Sequence, residues 1–244
     1  MPAPLVTTHP HRTSARTSPP AIVDPDTFAE QKQIVEAAIA LQQDPEAALT
    51  TRAVAETADV PPETVVGYVD DIEELPSLFY DLVGPQYHLL AAATTGREDF
   101  TFEERLASFY YILLDTLGEQ RAYVQATFET RARTRSSFRA DVRAILRTLL
   151  TGEAVPGTNQ LVTGLWPVHE VLTTVTLAVV RHWLHDETEN QAATTALVDK
   201  LVAFVAELVT FRGVSRGANL AWYLVQNDTL GLGRLPLVGR WFRR

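Results

Sequence analysis

The chain of 244 residues contains no cysteine, one methionine and only two lysines, Lys32 and Lys200, beside nineteen arginines. Without cysteine there is no disulfide framework, no thiolate nucleophile and no zinc-thiolate site. No apolar run reaches the roughly 18 residues of a membrane span. The nearest stretches, around 161–184 and 192–211, are broken by Glu170, Arg181, Asp199, Lys200 and Glu207. No strand-like alternation, internal repeat or hairpin signal extends beyond a few residues. Phosphate-cradling glycine loops, Ser-His-Asp orderings and paired carboxylates are missing too, which argues against an enzyme. His182 and His185, with Asp186, share a helical face but lack a third ligand, and His169-Glu170 is a weak pattern; neither a metal nor another cofactor is expected.

What the chain does have is acid, unevenly placed. Its net charge is −9. Between residues 30 and 83 there are twelve acids (Glu30, Glu36, Asp44, Glu46, Glu56, Asp59, Glu63, Asp70, Asp71, Glu73, Glu74 and Asp81) against Lys32 and Arg52, so this segment carries −10 and the rest about +1. A surface of that sign opposes a nucleic-acid backbone. Hydrophobic residues make up 46% and charged residues 21%, ordinary for a globular protein with a sizeable core.

Helical periodicity runs through nearly the whole length, and the fold class expected is all-α. Thr27 is placed to cap a first helix to Gln43, closed by Asp44-Pro45. Thr50 or Thr51 caps a short second helix to Ala58. Pro61-Pro62 suits the first turn of a third, where a missing N–H costs nothing. Asp71, with Glu74 three residues on, reads as the start of a fourth helix to Ala93, and Thr101 with Glu104 as a capping box for a fifth. Further helices are expected at about 119–131, 136–151, 161–185 and 190–211, with a short one from Leu220.

The expected division is a disordered lead-in at 1–26, rich in Ser, Thr and Pro, a small helical head at 27–83, a larger bundle at 84–212 and an amphipathic tail at 213–244. The tail mixes Trp241 and Phe242 with Arg240, Arg243 and Arg244, a pattern suited to a water-lipid boundary or to packing on the bundle. Arg135, Arg139, Arg143 and Arg147 recur at i, i+4 and form a cationic row. A solvated face is the plain expectation for that row. Docking on an acidic partner surface or on anionic headgroups is the alternative.

The head resembles the TetR family of helix-turn-helix regulators. The resemblance rests on 34–41 as the first helix, on Thr51, Ala53, Val54 and Ala55 as the second, and on Ala58-Asp59-Val60 as the turn. It continues through Thr64, Val65 and Tyr68 in the recognition helix and Glu73-Glu74-Leu75 beyond it. In the bundle, Trp183-Leu184-His185-Asp186 before a final long helix is similar to some C-terminal domains of the family. The resemblance implies a cytoplasmic homodimer that senses an apolar small molecule and acts on transcription. The last two helices would pair across a two-fold axis. DNA contacts would fall on Arg52, Thr64 and Tyr68, and a ligand pocket on Tyr111, Tyr123, Trp166, His169 and Thr173.

At the grip itself the sequence departs from the family. Where the family places Ser or Thr with Lys, an aromatic with a basic or polar neighbour, and a phosphate-binding Lys, this chain has Pro61, Pro62, Glu63, Val66, Gly67, Asp70, Asp71 and Ile72. Phosphate contact requires cations, amides or hydroxyls. The alternative implied is a TetR-fold protein without DNA binding, which holds a lipid or isoprenoid and meets a membrane peripherally through its C-terminal tail, as ubiquinone-biosynthesis lipid-binding relatives do.

Overall fold

The computed structural model describes residues 24–132, 137–155 and 166–210, and among them every regular element is helical. In chain order the helices are α1 (Pro25–Gln43), α2 (Thr51–Thr57), α3 (Pro62–Val66), α4 (Phe79–Ala93), α5 (Phe102–Gly118), α6 (Arg121–Thr127), α7 (Phe138–Thr151), α8 (Trp166–Leu184) and α9 (Ala192–Thr210). A 3₁₀ stretch, Ile72–Leu78, leads into α4, and a π turn, Phe128–Ala132, extends α6. Most of the break expected at 152–160, the helix expected from Leu220, and the segments 1–23, 133–136, 156–165 and 211–244 lie outside the described residues.

Helix α1 begins three residues earlier than the sequence pattern predicts. Asp24, not Thr27, is the N-cap: its carboxylate accepts from the Thr27 amide at 3.0 Å and the Thr27 hydroxyl at 2.6 Å. Pro25 then occupies the first helical position, where its fixed φ fits and no amide is needed. Thr50 caps α2 through the Ala53 amide. Thr101 and Glu104 form the reciprocal box expected for α5, with bonds in both directions.

The expected fourth helix is divided. Asp71 caps the chain by accepting from the Glu73 amide, but residues Ile72 to Leu78 wind as 3₁₀, and the α-helix starts only at Phe79. Pro76, which has no N–H to give, sits inside that stretch and accounts for the change.

The head is closed by Ile34, Val35, Ala38 and Ile39 of α1 against Val54 and Ala55 of α2, Val65 of α3 and Leu75. Ile34, Val54, Val65 and Leu75 are fully buried. Asp59 takes a left-handed conformation (φ 50°) in the α2–α3 turn, which lets the chain reverse direction between two short helices. Gln33 fixes the turn from the side by donating to the Ala58 carbonyl at 2.8 Å.

Helix α4 is shared: it packs on α1 and the 3₁₀ stretch at one end and on α5 and α7 along its length. Its approach to α7 depends on Gly84, where an added Cβ would lie 2.9 Å from the Cβ of Asp141. Asp141 is held there by the Ser137 hydroxyl at 2.6 Å, and burial raises its carboxyl above the usual carboxylate range. Gly84→Val is therefore expected to lower unfolding stability by about 2 kcal/mol, within the range of overpacked helix contacts. A urea titration of the variant beside the wild type measures it. No loss would mean that α4 and α7 can separate at this point.

Candidate functional site: the head surface and the bundle grooves

Helix α3 has five residues, so the surface a duplex would meet is small and is made largely by its flanks. Pro61 is the N-cap and makes no side-chain cap bond, Pro62 occupies the first helical position, and Glu63 is the acid of that first turn. Glu63, Val66 and Asp70 are exposed, Val66 at 63%, while Val65 turns into the core. The outward face is thus apolar and anionic, and the packing face is intact.

Two of the three residues expected to touch DNA are engaged by acids of the head itself. The exposed Arg52 guanidinium pairs with Glu56 at 2.7 Å, one turn along α2. Partial burial and the bond to Glu30 raise the Tyr68 phenol above its ordinary value; its hydroxyl donates to that carboxylate at 3.0 Å. Thr64 is half-buried on α3. The other base of the acidic segment, Lys32, faces away toward the bundle and bridges Glu119 at 2.7 Å and Glu36 at 3.8 Å.

Of the five residues expected to line a pocket in the bundle, Tyr123, His169 and Thr173 are buried and Tyr111 is exposed. Tyr123 is buried on α6, its ring 6.0 Å from Tyr80 and 6.1 Å from Phe79. His169 and Thr173 are buried on α8, where the Thr173 hydroxyl donates back to the His169 carbonyl at 2.7 Å. Tyr111 is on the opposite, outward side of α5, 44% exposed, and bonds to Asp199 of α9 at 2.8 Å. Trp166 opens α8, and its side chain lies outside the described residues.

The arginine row meets a carboxylate that its own spacing does not reveal. Arg139 and Arg143 both pair with Glu170 of α8, the latter at 3.5 Å, so part of the row holds α7 against α8. Arg147 is exposed. Arg135, Trp241 and Phe242 lie outside the described residues. The same is true of the rest of the tail. Arg131, in the π turn, donates to the Ser77 hydroxyl and so joins the bundle to the 3₁₀ stretch beneath the head.

Among the described residues a groove of about 600 Å³ lies beside Phe100, Ala154 and Ala206, and two others open on the bundle. One, of about 460 Å³, runs between α8 and α9 and is lined by apolar side chains, among them Val171, Val175, Leu201, Phe204 and Leu208. Val171, Phe204 and Leu208 are 64%, 58% and 48% exposed, an apolar face left open among the described residues. The other, of about 650 Å³, lies between α4, α5 and the start of α9 and is mixed in character, with Tyr111, Trp183, Asp115 and Glu119 in its wall. Sequence periodicity marks Tyr111 as one of an aromatic stripe; it does not show that α5 turns Phe109 and Tyr110 inward and leaves Tyr111 at a rim. Among the described residues, no three His, Asp or Glu side chains converge as metal ligands would, and no helix is long and apolar enough to cross a membrane.

A small three-helix head with a tight second turn, joined through a shared helix to a larger helical bundle, defines the TetR class of fold. Residues 105–221 match the family model described as the tetracyclin repressor-like C-terminal domain. Among solved structures, a TetR transcriptional regulator from Nitrosomonas europaea superimposes with a TM-score of 0.50 at 20% identity, over 73% of this chain and 98% of that one. The fold of the chain is TetR-like, and its larger half matches that family's C-terminal domain. No curated protein matches the chain.

Proposed function

We propose that the chain is a homodimeric transcriptional regulator of TetR type. Its larger helical half senses an apolar small molecule and sets the spacing of two small heads. The observation that carries this reading is a helix-turn-helix core mounted through α4 on a bundle whose last two helices leave an apolar face uncovered. In the proposed division the head extends to about residue 83, inside α4, and the bundle from there to about 212. The role is regulation and not catalysis. Arg52, Thr64 and Tyr68 are the contacts proposed for DNA. Tyr123, His169 and Thr173 are proposed for the ligand, with Trp166 and Tyr111 as further candidates. A ligand moves such an equilibrium only by its difference in affinity for two states, so it must favour one spacing of the heads.

Titrating the full chain against its own promoter fragment and a random duplex, at low and moderate salt, tests the reading. Sub-micromolar binding with clear preference for the promoter is expected. Equal and negligible binding to both would remove it.

A second reading is favoured by one observation: Arg52 and Tyr68 are already bonded to Glu56 and Glu30. In it the head is kept for its shape, and the protein holds a lipid or isoprenoid beside a membrane. Co-sedimentation with anionic liposomes, lost on deleting 231–244, would support that reading over the first.

A further inference from the structure

The groove between α4, α5 and the start of α9 has the volume of a small-molecule site, about 650 Å³. Its walls combine Leu90, Ile112 and Val198 with the aromatic rings of Tyr111 and Trp183, and Asp115 and Glu119 contribute carboxylates. A third carboxylate, Asp199, stands at the rim and accepts from the Tyr111 hydroxyl. Two cations lie close. Arg121 stacks over Trp183 at 4.5 Å, but its guanidinium is directed at the carbonyls of Trp183, Leu184 and Asp186, where it closes the end of α8. Lys32 reaches across from α1 to Glu119 at 2.7 Å.

That last contact identifies the chemistry. An ammonium group already seats on Glu119, in a setting where aromatic faces and two further carboxylates favour positive charge. We propose that this groove binds an organic cation with an apolar body, and that the bound cation competes with Lys32 for Glu119. Glu119 caps α5 and also accepts from Gln86 of α4 at 3.0 Å, so one carboxylate joins α1, α4 and α5. Drawing it toward a ligand releases Lys32, the charged tie between α1 and the bundle, and loosens the head. The site shares Tyr111 with the residues proposed above for an apolar ligand, is distinct from the buried Tyr123, His169 and Thr173, and does not depend on DNA binding.

Isothermal titration of the full chain with tetraphenylphosphonium tests the site, with tetraphenylborate as the anion of the same shape. Saturable binding of the phosphonium at one per chain is expected, with no displacement by the borate. Asp115 is exposed, so Asp115→Asn should leave the thermal melt unchanged while weakening the phosphonium at least fivefold. Lys32→Met, which removes the competitor, should tighten it at least twofold. Absence of saturable binding, displacement by the borate, or an unchanged affinity in Asp115→Asn would overturn the site. An unchanged affinity in Lys32→Met would overturn the competition for Glu119.

Discussion

Replacing Phe204 and Leu208 together by glutamate is expected to leave the protein at its chain mass of 27.0 kDa, where the dimer proposed for the wild type should sediment at twice that value. Both side chains lie on the uncovered face of α8 and α9 with Val171 and Leu201, in a groove whose lining is almost wholly apolar. A two-fold contact made by these helices buries each substituted position twice. A carboxylate enclosed there without a partner costs about 3–5 kcal/mol. The dissociation constant should therefore rise by at least about 100-fold, since every 1.4 kcal/mol is a factor of ten. Positions 204 and 208 are exposed within the single chain, so helical content and melting of the monomer should survive. Sedimentation velocity over a concentration series measures the shift. A double variant that keeps the dimer mass would place the two-fold contact elsewhere.

The second large effect belongs to the head. Glu63→Lys with Asp70→Lys should raise affinity for a random duplex at least tenfold at low salt. Both positions are exposed, Glu63 on α3 and Asp70 shortly after it, and neither contributes to the core formed by Ile34, Val54, Val65 and Leu75. Asp71 is left in place because it caps the 3₁₀ stretch through the Glu73 amide. In a dimer the two changes introduce four cations. Each phosphate neutralised adds about −0.9 to the slope of log affinity against log salt, so the slope should steepen by up to about 3.6. Fluorescence anisotropy at several salt concentrations gives both quantities. Unchanged affinity would show that α3 does not face the duplex.

Much of the head is legible in the sequence because its packing obeys helical spacing. Spacing marks Val54 and Val65 as inward, the resemblance adds Leu75, and all three are fully buried. The Thr101–Glu104 box is equally legible, since both partners lie three residues apart. Features set by backbone chemistry at one residue are harder. Pro25 moves the start of α1 back to Asp24, and Pro76 turns the first part of an expected helix into 3₁₀. The π turn at Phe128–Ala132 leaves no periodic signature.

Features that depend on two distant helices are not legible at all. Arg139 meets Glu170 across 31 positions, Lys32 meets Glu119, and Tyr111 meets Asp199. Spacing within one helix says which residues share a face, and only packing says what that face meets. The mixed groove at α4, α5 and α9 is a product of such meetings.

The head keeps the packing of a helix-turn-helix unit while its outward face is acidic and its one exposed arginine is paired to Glu56. The salt dependence of promoter binding by the full chain tests this most directly. With contact carried by hydroxyls and at most one head arginine per chain, the expected slope of log affinity against log salt is no steeper than about −2. A slope of about −5 or steeper would show a cationic grip on phosphate and contradict it.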